Sequence, residues 1–324
     1  MGVRLPLLVT IGVVAGALLL AAPARAEEAE FDRVVVLGDS YSSGVGIHSD
    51  ASDYDDHGPP EHSFDPDTRL GHSACHRETD STFGPQLAEL LDADMTFVAC
   101  AGAVVAEMPN QVAAAGIEGT GEGTIVTVTM GGNDLRTERG EDWPDVLLRC
   151  VLETDCHESA QNQVANLSEI QADLIAAYRA IGEAYPDSTV RVLGYPRIMQ
   201  PDRWGCIGMT GFGSDEANWV DDQVDALNMR ASIAAILAFM YTGADIRYVS
   251  VVDEFDNHGA CRVWQRDRYV NDTRIGETYR REMNADGEIV DVYRDGWTHL
   301  SSSSVHPSQA GYDAYFDALA ADLG

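Results

Sequence analysis

The run Val34-Val35-Val36-Leu37-Gly38-Asp39-Ser40 constrains the fold of this chain more than any other stretch. Four apolar residues without alternation, three of them β-branched, predict a short strand buried on both faces, as in a parallel sheet. Gly38 and Asp39 end it and leave Ser40 at the carboxyl end, where open α/β sheets gather their ligands. A serine there becomes a nucleophile only if a base takes its proton and donors stabilise the oxyanion that follows. The rest of the chain must supply both.

Further strands are expected over 95–98, 124–130, 189–194 and 246–252, alternating with helical patterns over 82–91, 159–184, 217–241 and 309–323. Five strands alternating with helices predict a parallel α/β sheet with right-handed crossovers. Gly102 lies just past the second strand, where a glycine allows close backbone approach and an N–H aimed at a ligand. Asn133 follows Gly131-Gly132 at the end of the third, and its short amide can donate into a site. His306 sits on the loop before the last helix, with Pro307 suited to a first turn. Taken singly, these read equally well as a turn glycine, an Asx-turn and a hydrogen-bonded loop histidine. Their placement makes them a set, because a doubly wound sheet brings those ends to one crevice.

Composition bounds the setting. Residues 1–26 carry Arg4, an apolar run from Leu5 to Ala22 and Ala24-Arg25-Ala26 before Glu27-Glu28, the pattern of a cleaved secretory leader. An uncleaved anchor is the alternative, since the run approaches the length that spans a bilayer. The remaining residues, 27–324, suit a single domain. Lys+Arg number 21, all arginines, against 53 Asp+Glu, for a net charge of −32, or −34 once Arg4 and Arg25 leave with the leader. Such a surface repels nucleic acid and anionic lipid. Six cysteines in an exported chain predict disulfides, and the absence of C-x-x-C argues against a zinc or redox site. The stretch 48–81 holds His48, His57, His62, His72 and His76 among acidic residues, but its spacings match no metal-binding pattern, and a surface loop or lid over the site is expected.

Gly38-Asp39-Ser40-Tyr41-Ser42, Ala99-Cys100-Ala101-Gly102-Ala103, Gly131-Gly132-Asn133-Asp134 and Val305-His306-Pro307 together resemble the SGNH (GDSL-type) hydrolase family, whose name is those four residue types in order. The cysteines, Leu193-Gly194-Tyr195-Pro196-Arg197 and His258-Gly259-Ala260-Cys261 are similar to its secreted actinobacterial lipase, esterase and phospholipase branch. The resemblance implies a three-layer α/β/α sandwich on a five-stranded parallel sheet. It implies Ser40 as nucleophile, His306 as base, and an oxyanion hole of the Ser40 and Gly102 N–H groups with the Asn133 amide. It also implies disulfides Cys75–Cys100, Cys150–Cys156 and Cys206–Cys261. The G-x-S-x-G elbow of the α/β-hydrolases is absent.

One departure stands out. Most of the family carries Asp three residues before the histidine, and here that position is Ser303. A Ser40–His306 dyad is therefore expected, with the ring held by a main-chain oxygen near Ser303 or Ser304, a weaker source of charge stabilisation than a carboxylate. The expected activity is hydrolysis of lipid or other acyl esters by a secreted, cofactor-free monomer, with no nucleic-acid partner and no stable membrane insertion. Two alternatives differ in kind. A carbohydrate O-deacetylase would need exposed aromatics, for which Trp204, Trp219, Trp264 and Trp297 are candidates, and a binding protein on the same scaffold would need no chemistry.

Overall fold

The computed structural model describes residues 31–47, 75–117, 119–152, 156–159, 162–201, 205–206, 212–264, 268–273, 278–283, 289–294, 300 and 303–324. The leader expected over 1–26, residues 48–74 of the histidine-rich stretch, Trp204 and Trp297 lie outside them. Five strands, β1 (Arg33–Gly38), β2 (Asp94–Phe97), β3 (Thr124–Thr129), β4 (Thr189–Leu193) and β5 (Asp245–Val249), form one sheet in the order β2-β1-β3-β4-β5. All neighbours are parallel. Val34 to Leu37 are fully buried, as their unbroken apolar run requires of a central strand covered on both sides.

The helices are α1 (Ser40–Ser43), α2 (Phe83–Leu91), α3 (Met108–Ala115), α4 (Trp143–Leu152), α5 (Leu167–Ala184), α6 (Ser214–Thr242) and α7 (Gln309–Leu323). Residues in register across a parallel sheet share a face, and adjacent rows face opposite ways. In one row, Val36 of β1 packs on Gly84 of α2 and Arg191 of β4 reaches Asp322 of α7. In the next row, Ile246 of β5 packs on Gly182 of α5. Helices α2 and α7 thus cover one face, and α5, packed against α6 and α3, covers the other. This is the three-layer sandwich.

Three features differ from expectation. Helix α5 begins at Leu167 rather than near 159, because the chain before it is tied sideways. Val164 bridges to Thr137, and the Asn166 amide accepts from the Arg136 N–H and donates to the Asp134 carbonyl. The apolar period continues through Val164, but those residues pack as an extended tether. Second, β6 (Thr278–Met283) and β7 (Ile289–Arg294) form a separate antiparallel pair. Third, three helices lie outside the expected set: α1 and α3 are short, while α4, ten residues long and as amphipathic as α2, carries a helical period that the expected pattern omits.

Disulfides join Cys75 to Cys100, Cys150 to Cys156 and Cys206 to Cys261. The first ties the segment leading to α2 directly to the loop that carries Gly102.

Candidate active site

Ser40 opens the single-turn helix α1. Asp39 caps it, its carboxylate accepting from the Tyr41 N–H at 3.0 Å, and Gly44 ends it at φ +105°. Gly38 must be glycine: its φ is +123°, and a Cβ there would stand 2.3 Å from the Thr129 carbonyl oxygen. Its own N–H and C=O are clamped by the Gln111 amide at 2.7 and 2.8 Å. Ser40 is thereby fixed from the strand side.

His306 Nε2 lies 2.7 Å from Ser40 Oγ, and Nδ1 lies 2.9 Å from the Ser304 carbonyl oxygen. A carbonyl can only accept, so Nδ1 carries the ring proton and Nε2 presents its lone pair to the Ser40 hydroxyl. That is the tautomer a general base requires. The group on Nδ1 is thus a main-chain oxygen rather than a carboxylate.

Gly102 and Asn133 meet Ser40 and His306 around one cavity of about 170 Å³. No described group accepts from the N–H of Ser40 or of Gly102. The Asn133 amide donates one N–H to the Ala103 carbonyl at 3.0 Å, which fixes its plane and leaves a second N–H for a ligand. Val104, Leu135, Trp143, Leu147, Ile198 and Leu227 line the same cavity and make its wall apolar. His76, buried, lines it too and is the one histidine of the 48–81 stretch among the described residues. Among the described residues no cluster of three or more His, Cys, Asp or Glu is placed to share a metal ion.

Two supports stand inside motifs quoted above, yet the sequence alone gives them no role. Tyr195 donates its hydroxyl to Asp39 and accepts from the Gly132 N–H at 3.0 Å, bridging the Ser40 turn to the Asn133 turn. Burial holds that phenol far above its ordinary pKa, so it stays a donor. Asp134 in turn accepts from the Val105 N–H at 3.0 Å, tying the Asn133 turn to the Gly102 loop. All three segments carrying the donors are therefore cross-braced, and donors that do not reorganise are the effective ones. Tyr195 sits 156 residues from Asp39. Its place just past the fourth strand's carboxyl end, within the quoted run Leu193 to Arg197, is the signal that could have flagged it.

The chain from residue 34 to 319 matches the family model of the GDSL-like lipase/acylhydrolases. The chain belongs to that family. This GDSL hydrolase is 28% identical to Lipase 1 of Streptomyces coelicolor over 260 residues, 78% of this chain and 82% of that one. It also resembles in fold the phospholipase A1 of Streptomyces albidoflavus NA297 (TM-score 0.62, 24% identity, 90% of this chain and 99% of that one). The extracellular lipase of Streptomyces rimosus gives a TM-score of 0.61 at 22% identity, over 89% and 98% of the two chains. The GDSL hydrolase is an enzyme that cleaves esters.

The braces of the site carry a pH signature. Burial pushes the Asp39 carboxyl up to about 6, against the downward pull of its donors Tyr195, Thr129 and the Tyr41 N–H. Burial likewise raises Asp134 to about 7 and Asp221 to about 6. Each lies above the ordinary aspartate value of 3.8, so the native form binds these protons more tightly than the unfolded chain. Stability then falls as pH rises from about 4 to about 7, each group contributing roughly 1.4 kcal/mol for every tenfold difference in proton affinity between the two states. Self-repulsion of the acidic surface acts in the same direction. The Tm is expected to be higher at pH 5 than at pH 8. A Tm that drops on acidification over that interval contradicts the burial of these carboxyls.

Proposed function

We propose that this GDSL hydrolase is an exported lipase or phospholipase A-type esterase working through a Ser40–His306 dyad and an acyl-enzyme. Ser40 Oγ attacks the ester carbonyl as its proton passes to His306 Nε2. The oxyanion is received by the N–H groups of Ser40 and Gly102 and by the Asn133 amide. Collapse expels the alcohol, which takes the proton from the imidazolium, and a water deprotonated by the same Nε2 then releases the acid. The observation that carries this reading is the 2.7 Å Ser40–His306 contact at the mouth of an apolar cavity, with the ring's other nitrogen on a carbonyl.

The apolar wall favours an acyl chain as the group held there. A cavity near 150 Å³ takes a benzene-sized guest, so about 170 Å³ suits the first several carbons of an acyl chain. The carbohydrate reading draws less support: Trp219 is buried against Trp143 and donates to Gln163, which is packing. Trp264 is exposed and does not line the cavity. The Ala24-Arg25-Ala26 pattern before Glu27-Glu28 supports export with removal of residues 1–26, three disulfides fit an oxidising setting outside the cell, and the compact unit Phe31–Gly324 supports one domain. One described helix, α6, is long and apolar enough to cross a membrane, but it packs on α5 and β5 as a layer of the sandwich, which supports a chain that does not insert into a bilayer.

The test is a panel of p-nitrophenyl esters from acetyl to oleoyl with phosphatidylcholine and acetylated xylan. Highest kcat/KM is expected on medium or longer acyl chains. A clear preference for acetylated xylan, or no turnover of any lipid ester, overturns the lipolytic reading.

A further inference from the structure

The turn that carries His306 is held in an expensive conformation. Val305 has φ +56°, the left-handed region, which is least comfortable for a β-branched residue. Three successive carbonyls of this turn each accept a hydrogen bond. Ser304 O takes the His306 ring at 2.9 Å, Val305 O takes the Tyr41 hydroxyl at 2.7 Å, and His306 O takes the Asn271 N–H at 2.9 Å. Tyr41 directly follows the nucleophile in α1, is buried, and packs its ring 5.0 Å from that of His306 and 5.0 Å from that of Tyr195. Asp39 is the carboxylate behind it, held by Tyr195 and Thr129.

The Ser304 carbonyl faces the ring of His306 across the peptide that leads into the left-handed Val305. The bond from Tyr41 to the next carbonyl fixes the peptide that leaves Val305. We infer that Tyr41 is a positioning residue for the base: its hydroxyl locks the strained Val305 turn and so holds the Ser304 carbonyl under the His306 ring, in the role most of the family gives to a carboxylate. The inference rests on the reading of His306 as base and deepens it. It makes the residue after the nucleophile part of the apparatus that orients its partner, so that nucleophile and base are set by one helical turn.

Tyr41→Phe keeps the ring and removes only the lock. With rates counted per site titrated by a fluorophosphonate, kcat is expected to fall about 10- to 100-fold, the loss of one buried, well-aligned hydrogen bond, while KM stays within about twofold. The acid limb of kcat/KM should move to lower pH, because an imidazolium that loses its acceptor gives up its proton more readily. Adding Val305→Gly removes the strain, and the double variant is expected to regain at least about fivefold of the lost kcat, glycine being at ease in the left-handed turn. A merely structural tyrosine predicts no such rescue.

Wild-type kcat and an unshifted acid limb in Tyr41→Phe overturn the inference. So does a double variant no better than the single. Should Tyr41→Phe not fold, proton NMR compares the wild-type chain with Tyr41→Trp: a slowly exchanging, downfield His306 Nδ1–H is expected in the wild type and faster exchange of it in the variant, and an absent signal in the first or an unchanged one in the second refutes the lock. His306→Ala assayed beside these separates the two layers. Full activity there sinks the base and the lock together, whereas loss there with an unaffected Tyr41→Phe sinks only the lock.

Discussion

Ser40→Ala and His306→Ala are each expected to lower kcat by about 10⁵- to 10⁶-fold, and the double variant is expected to fall no further. The non-additivity is the informative part. Without the hydroxyl, Nε2 has no proton to take from a nucleophile. Without the imidazole, the hydroxyl keeps its proton and a pKa far above neutrality. Either loss breaks the same step, which the 2.7 Å contact joins. The residual rate comes from the donors and the cavity wall, which both variants keep. Both are expected to fold: neither side chain spans the core, and the braces through Asp39, Tyr195 and Gln111 remain. Steady-state kinetics on a p-nitrophenyl ester, with Tm as control, decides it. Losses that multiply in the double variant contradict a shared step.

Asn133→Ala is expected to show the second large effect, about 10²- to 10³-fold in kcat with little change in KM. The amide meets the substrate carbonyl weakly while that oxygen is neutral and strongly once it carries charge, so its removal falls on the transition state. Asn133→Asp separates donor chemistry from shape. It is nearly isosteric, yet at neutral pH it presents an anion to a developing anion, so its kcat is expected to be at least as low as that of the alanine variant. An unchanged kcat with a raised KM in either variant moves Asn133 from oxyanion stabilisation to substrate binding.

The site is legible in the sequence because its chemistry fixes residue types at the ends of strands. Ser40, Gly102, Asn133 and His306 each stand just beyond an apolar run or beside a helix start, and the sheet order brings those ends together. The central strand is legible because Val34 to Leu37 leave no polar face to expose. The braces are not. Tyr195 to Asp39, Tyr41 to Val305 and Asp134 to Val105 are side-chain bonds between residues far apart in the chain, and no period or propensity records them. The start of α5 is obscured because Val164 fits the helical period while its backbone bridges to Thr137. The β6–β7 pair does leave a signal: TYRREM and IVDVYR are strand-like, and Asp286-Gly287 between them is a hairpin dipeptide. A ring-holding main-chain oxygen is expected from Ser303 standing where an aspartate would; which of the two carbonyls serves depends on the left-handed turn at Val305.

Rapid acid quench of the enzyme during turnover of a p-nitrophenyl ester, followed by peptide mass analysis, tests the central claim most directly. A Ser40 acyl-enzyme predicts a burst of nitrophenol matched by one acyl group on the peptide containing Ser40, with the adduct absent in Ser40→Ala. An acyl group carried by any other residue, or turnover with no covalent adduct at any time point, contradicts it.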